Sequence, residues 1–547
     1  MISFPISSAS RLLKPYPHSR LLLSVLHHRS TSSFTLPSGL TTTIQTGLFL
    51  NNEFVPSIGG QTFKSISPLP PHSDLATISE AHSADVDQAI AYARTAFKTT
   101  WGKRAAPGER ARLLNRLADL IEQNASVLSE IEAWDSGKPL GIVRDLDIVD
   151  VVATLRYYAV PIKTFITDHC FWDVLRVAMS DKIHGQTTEV NDMTRLSFTK
   201  HEPIGVCAQI VPWNYPLMMM SWKIAPALAV GCCVVLKPSE FTSLSALKFA
   251  ELVVEAGYPP GVFQILTGDG KTGGVLASHQ GIDKVSFTGS TATGRKIMEA
   301  SAKSNLKPVS LELGGKSPGI IFESADLDQA TNWAMLGTFF NMGQDCTCNS
   351  RVFVQASVYD KVIEMLVAKS KLVTIGDQNK EGVNHGPLVS KSQYEKVMSF
   401  IEAGKVEGAT LAAGGKSWGE DGWWVEPTIF TDCKPGMKIV DEEIFGPVMA
   451  VQKFETEEEV IKLANNTSYG LAAGFFSKDM NQCLRVVGEL EAGTVWVNMT
   501  NILNPQIPFG GKKQSGFGKD LGAHALENYT SVKAVQMNFG EDFSWPM

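Results

Sequence analysis

Ile204–Lys237 reads IGVCAQIVPWNYPLMMMSWKIAPALAVGCCVVLK. A short apolar run breaks at Pro212 and Pro216, a longer apolar segment follows, and a second short run closes the stretch after Gly231. Apolar runs too short for a helix and bounded by turn formers read as fully buried strands, and the segment between them as a helix through Met218–Val230. The rhythm then repeats with a helix over 242–256, FQIL at 263–266, a helix starting near Lys271 and KVSF at 284–287. Strands alternating with helices at this spacing predict an α/β fold with a parallel, doubly wound sheet. Sheets of that kind bind ligands beyond the carboxyl ends of their strands. The residues that follow each strand are therefore where chemistry is expected.

Four such segments stand out. Pro212-Trp213-Asn214-Tyr215-Pro216 holds an amide between two prolines, either as a turn former or as a hydrogen-bond donor to an oxyanion. Leu236-Lys237-Pro238-Ser239-Glu240 sets a cation and a carboxylate at a strand end, where they can grip ribose hydroxyls; the carboxylate repels a 2′-phosphate, which favours NAD over NADP. Phe287-Thr-Gly289-Ser290-Thr-Ala-Thr-Gly294 opens a helix with small residues that let a pyrophosphate approach the backbone. In LELGGKSP, Glu312 precedes the glycines 314 and 315, and its apolar neighbours predict a desolvated carboxyl with a raised pKa, suited to act as a base.

A fifth segment, FNMGQDCTCNSR at 340–351, places Cys346 just past a Gly343-Gln344 turn, where a helical pattern over Asp326–Asn341 gives out. A thiol on an irregular segment fixed by a rigid element suits a nucleophile, provided its surroundings favour the thiolate or supply a base. Cys348 has no comparable support. No second half of a metal site accompanies this Cys-x-Cys, and no metal is expected.

PWNYP, KPSE, FTGST, LELGGKSP, GQDC, EEIFGP (442–447) and PFGG (508–511) together resemble the aldehyde dehydrogenase superfamily, in its order and near its spacing, over about residues 47–540. The resemblance implies an oxidoreductase that turns aldehydes into carboxylic acids with NAD, with NADP as the alternative. It implies that Cys346 attacks the aldehyde, that its backbone N–H and Asn214 hold the oxyanion, and that Glu312 activates the hydrolytic water. Lys223 matches a lysine near the catalytic centre. Lys237 and Glu240 match adenosine-ribose contacts, and Gly289 and Ser290 match the pyrophosphate turn. Glu443 matches a nicotinamide-ribose contact, with Phe445 beside it and Trp213 in the same cleft. Tyr215, Met219, Trp222, Phe340 and Phe509 match an apolar aldehyde tunnel, which points to aliphatic or aromatic aldehydes. A cationic substrate such as betaine aldehyde is the alternative, although no acidic residue belongs to the matching set. The other alternative is a non-catalytic structural or binding member of the family.

The chain has 547 residues, 44% hydrophobic and 19% charged, long enough for about three domains. The expected division is a doubly wound cofactor domain over 47–181 and 203–313, an α/β catalytic domain over 314–515, and a small β oligomerisation element from 182–202 and 516–547. The resemblance implies a homodimer or homotetramer. A net charge of −7 argues against a nucleic-acid partner, and the apolar run Leu21–Leu26 is too short to span a bilayer. Helices are expected over 83–98, with Ser83 as N-cap, and over 107–133.

Two stretches depart from this plan. Residues 1–46 contain no acid but carry Arg11, Lys14, Arg20 and Arg29 among many serines and threonines, the composition of a mitochondrial transit peptide and disordered tail. They place the protein in the mitochondrial matrix, with the cytoplasm as the alternative, and the ordered chain near Gly47. After Leu155-Arg-Tyr-Tyr-Ala159, residues 160–179 interpose an apolar segment that the family does not have. It reads as translated intron sequence, a genuine insert or a docking element.

Overall fold

The computed structural model describes residues 31–159, 184–189 and 195–540; the insert at 160–179 and the first thirty residues lie outside them. The short apolar runs are strands. Val206–Ile210, Cys233–Lys237, Phe263–Ile265 and Lys284–Thr288 are buried along their whole length, as strands covered by helices on both faces must be. With Val309–Glu312 they form the parallel centre of an eight-stranded sheet. The chain winds outward from Val206–Ile210 to one side, then returns and continues on the other through Lys284–Thr288. The carboxyl ends of these two neighbours, Ile210 and Thr288, flank the switch point where doubly wound sheets open a crevice.

The sheet is mixed, not purely parallel. Leu48–Leu50 and Glu53–Val55 add an antiparallel hairpin at one edge, and Gly516–Phe517 pairs antiparallel to Val309–Glu312 at the other. Between the first two central strands runs the helix Pro216–Val230, opened by Pro216 in its first turn and closed by Gly231 at φ 100°. Every residue of this helix is buried, which explains a sequence with no polar face. Its one charged residue, Lys223, is therefore forced to find a partner inside the protein.

A second, seven-stranded sheet contains Pro318–Ile321 and Arg351–Gln355, parallel to each other, and forms the other main body. The chain crosses from the first sheet to the second between Glu312 and Pro318, within LELGGKSP. A third sheet pairs Thr530–Asn538 with Arg195–Pro203, and that strand with Thr187–Thr188. Its extent is smaller than expected. Residues 516–529 belong with the cofactor domain, because Gly516–Phe517 extends that sheet and Leu521, Ala525, Leu526 and Tyr529 pack into its core.

Three local expectations are corrected. Ordered structure begins before Gly47: Thr31–Thr35 and Thr41–Gln45 form a hairpin whose inward residues Phe34, Leu36 and Ile44 are buried. A Ser- and Thr-rich stretch with one apolar residue turned inward on each strand looks like a tail by composition but docks by alternation. The helix Ser83–Thr99 is capped by His82 rather than Ser83; the His82 ring accepts from Ala84 N–H while Asp85 accepts from His82 N–H at 2.8 Å. The long pattern over 107–133 is two helices, Pro107–Gln123 and Ala125–Ser136, separated at Asn124. The Asn124 amide donates to Leu120 O at 2.8 Å, the kind of side-chain bond that competes with helix continuation.

The Phe34 ring meets Trp134 edge-on at 5.5 Å. Phe34→Ala should cost about 3 kcal/mol, read as a lowered midpoint in thermal or urea unfolding; an unchanged midpoint would show that the hairpin is not docked.

Candidate active site

The nucleophile loop is shaped by strain. The helix Leu327–Phe339, capped by Asp326, ends in a 3₁₀ turn at Phe340–Gly343, where Asn341 and Met342 take positive φ values of 49° and 55°. Non-glycine residues occupy that region at a cost of order 1 kcal/mol or more each. The Asn341 side chain offsets it by donating to Asn214 O at 3.0 Å and Gln344 O at 3.1 Å. Asn214 in turn donates to Gln344 O at 3.0 Å, so PWNYP and GQDC are tied together amide to carbonyl. The second hydrogen of the Asn214 amide is left for another acceptor.

The paired glycines of LELGGKSP are required by close approach. A Cβ on Gly315 would lie 2.2 Å from the Cys346 carbonyl oxygen, and one on Gly314 would lie 2.4 Å from the Glu443 carboxylate. Gly315 N–H also donates to Glu443 at 2.9 Å. The crossover between the two sheets thus packs directly against the nucleophile and against EEIFGP.

Cys346 is partly exposed and lines two cavities. One, of about 190 Å³, opens at the switch point between Pro212, Trp213 and Asn214 on one side and Thr288, Gly289 and Ser290 on the other, with Glu443 and Phe445 across from them. The other, of about 350 Å³, contains all five expected tunnel residues, Tyr215, Met219, Trp222, Phe340 and Phe509. The two share only Cys346 and Met219.

The first cavity fits the nicotinamide end of a dinucleotide. It offers the Glu443 carboxylate, and the buried Thr288 hydroxyl on its wall has no partner in the protein. Ser290 caps the helix Thr291–Lys303 with its hydroxyl 3.2 Å from Thr293 N–H, so that helix presents its positive end beside the cavity. The Phe445 ring meets Trp213 edge-on at 5.2 Å. Lys237 and Glu240 lie further out: Lys237 is buried with its ammonium 3.6 Å from the half-exposed Glu240, which faces a separate groove.

Of the two possibilities left open for the thiol, surroundings that favour the anion or a base that supplies it, the electrostatics favour the second. Burial, followed by the charges of Asp345, Glu443 and Glu312, pushes the Cys346 thiol well above its ordinary range, and only its own backbone N–H pulls the other way. The surroundings do not favour the anion, so a base is needed. Glu312 ends the strand Val309–Glu312, and burial, with Asp520 second, pushes its carboxyl well up. Lys223, Lys519 and the Gly511 N–H oppose this. One Glu312 oxygen lies against Gly510 and the other is buried without a partner. Glu312 lines neither cavity wall and reaches the thiol through its charge.

Lys223 does not touch Cys346. It pairs with Asp520 at 2.8 Å, both fully buried, and acts on Glu312 through space. Asp520 was not foreseen. It lies in no recognisable motif and is brought to the site because its backbone exchanges hydrogen bonds with Phe509 of PFGG. Four acids of the tunnel were also missed: Asp145, Asp147, Asp150 and Asp345 line the aromatic cavity. Cys348 is buried and donates to Thr338 O at 3.4 Å, a packing role. Among the described residues no group of three or more His, Cys, Asp or Glu is placed to hold a metal, and no helix is long and apolar enough to cross a membrane.

The chain is similar to known proteins along most of its length. The profile of the aldehyde dehydrogenase family matches residues 54–535. An aldehyde dehydrogenase of Agaricus bisporus is 49% identical over 92% of this chain and 97% of its own. The NAD+ complex of an aldehyde dehydrogenase from Bacillus cereus superposes with a TM-score of 0.86 at 46% identity, covering 90% of this chain and 97% of that one. A betaine aldehyde dehydrogenase from Staphylococcus aureus, also in complex with NAD+, gives a TM-score of 0.86 at 37% identity over 92% and 96% of the two chains.

A thiol held protonated by burial reacts only through its small thiolate fraction. Without added nucleotide, alkylation of Cys346 by iodoacetamide, followed on its own peptide by mass spectrometry, should quicken about tenfold per pH unit from pH 7 to 9. A rate already level below pH 8 would contradict the raised thiol.

Proposed function

This chain belongs to the aldehyde dehydrogenase family, and from that footing we propose that Cys346, Asn214 and Glu312 carry its reaction. The protein oxidises aldehydes with NAD+. The observation that supports the residue assignment is the position of Cys346, shared between a polar cleft at the sheet's switch point and an apolar tunnel. Two reactants that enter from different sides meet at one sulfur.

The aldehyde enters between Tyr215, Trp222, Phe340 and Phe509, which suits aliphatic or aromatic chains. The partly exposed Cys346 thiol gives up its proton to solvent water, and the thiolate Sγ bonds to the carbonyl carbon. The free Asn214 amide hydrogen and the Cys346 backbone N–H hold the developing oxyanion of the thiohemiacetal. NAD+, when bound, supplies the acceptor for the hydride that leaves this carbon. Glu443, Phe445, Trp213, Gly289 and Ser290 hold its nicotinamide and phosphate portion, and Lys237 with Glu240 its adenosine ribose. The Glu240 carboxylate favours NAD over NADP by repelling a 2′-phosphate. Cys346 then carries a thioester. Glu312, made a stronger base by burial, takes a proton from water, and the hydroxide releases the carboxylic acid. The buried Lys223–Asp520 pair sets how readily Glu312 does so.

Two further features belong to this reading. The acid-free, Arg-bearing first thirty residues support import into mitochondria. The strand Thr530–Asn538 is an exposed sheet edge carrying Val532 and Met537, with exposed Phe539 after it, which supports assembly into a homodimer or homotetramer.

Cys346→Ala should lower NADH formation from an aldehyde by on the order of 10³-fold or more while leaving NAD+ binding intact. Undiminished turnover would sink the assignment. Glu312→Gln should release about one equivalent of NADH per site in a burst and then stall. Normal steady-state turnover in that variant would refute its role as the hydrolytic base.

A further inference from the structure

The residue before the nucleophile, Asp345, is the most heavily bonded side chain at the tunnel floor. One carboxylate oxygen accepts from Thr347 N–H at 2.9 Å and from the Thr347 hydroxyl at 2.7 Å. The other accepts from the Tyr215 hydroxyl at 2.8 Å and from the Asn501 amide at 2.6 Å. All four donors are neutral, and Asp345 takes part in no ion pair among the described residues. Its 6% exposure is turned to the cavity that it lines with Cys346. Three separate pieces of chain are joined by this one carboxylate: the start of the Pro216–Val230 helix, the nucleophile loop and the 499–504 segment.

The other charges of the tunnel have the same sign. Asp150 lines it with one oxygen 2.7 Å from Trp222 Nε1. Asp147 is paired with Lys138, and that ammonium lies behind the tunnel wall, 3.7 Å from the Tyr215 ring centre. Asp145 is held at the exposed end by Arg144 at 2.7 Å. No Lys, Arg or His lines the cavity. The tunnel is apolar by area, but two of its carboxylates, Asp345 and Asp150, have no ion-pair partner among the described residues, and low-dielectric walls carry their field to whatever enters.

We propose that Asp345 is a specificity-determining residue: it ties Tyr215 and Asn501 to the nucleophile loop and closes the tunnel to aldehydes that bear a carboxylate. The substrate class is then uncharged or cationic aldehydes. This rests on the reading of the cavity as the aldehyde channel. An anionic aldehyde whose carbonyl reaches Cys346 enters a cavity that Asp345 lines and to whose wall no Lys, Arg or His contributes.

The test compares butanal with 4-oxobutanoate, equal in length and differing by the terminal charge, by NADH formation in the full-length protein. For the unaltered protein, kcat/KM for butanal should exceed that for 4-oxobutanoate by at least about 100-fold. In Asp345→Asn that ratio should fall by at least about tenfold, mostly because the charged aldehyde gains a lower KM, whereas Asp345→Glu should keep it. Reading a ratio within each variant cancels any general loss of activity, and the ratio of the unaltered protein stands even if a variant fails to fold. Equal use of both aldehydes by the unaltered protein overturns the proposal, as does an unchanged ratio in a folded Asp345→Asn. If neither aldehyde is oxidised, it is the reading of the channel that fails.

Discussion

The crossover from Glu312 to Pro318 is the constraint on which the rest of the site depends. Within a few residues the chain delivers a carboxyl at the end of one sheet, passes Gly314 against Glu443 and Gly315 against the Cys346 carbonyl, and enters the second sheet. A side chain at position 315 would press on the Cys346 carbonyl and push its loop outward, whereas one at 314 would have to displace the Glu443 carboxylate. Lys316, the next residue, is buried with its ammonium donating to Ile439 O at 2.8 Å, and burial pulls it down to about 7. The crossover is therefore fastened to the catalytic body on both sides. Glu312, Cys346 and Glu443 are brought together by their contacts with this crossover rather than by bonds among their own side chains.

Desolvation is the second organising force. It pushes up the Cys346 thiol and the Glu312 carboxyl together. A nucleophile restrained in this way is protected from adventitious reaction, and the same dry surroundings strengthen the hydrogen bonds that Asn214 and the backbone offer to an oxyanion. The Lys223–Asp520 pair supplies full charges at one remove, where they bias Glu312 without competing for the substrate.

Much of this was legible in the sequence where burial leaves a continuous mark. VCAQI, CVVLK and KVSFT read as covered parallel strands because they are apolar on both faces, and the helix between the first two lacks a polar side for the same reason. The antiparallel edge at Gly516–Phe517 was not legible, since a two-residue strand carries no period. The Thr31–Gln45 hairpin was hidden by a composition that resembles a leader. At the site, the candidates came from short motifs, and residues placed by distant contacts were passed over even inside one, as Asp345 was in GQDC. Asp520 acquires its place through backbone pairing with Phe509, and Asp345 through Tyr215 and Asn501, remote in sequence on either side.

The central claim is that a single sulfur, Cys346, joins the aldehyde channel to the cofactor cleft and carries the acyl group between oxidation and hydrolysis. Its most direct test is to map the covalent adduct: Glu312→Gln mixed with NAD+ and butanal, quenched in acid, digested and analysed by mass spectrometry. A butanoyl group on the peptide bearing Cys346, located to that sulfur and absent when NAD+ is omitted, is the predicted result. An adduct on Cys348 or elsewhere, or NADH released with no acyl group on the protein, would contradict it.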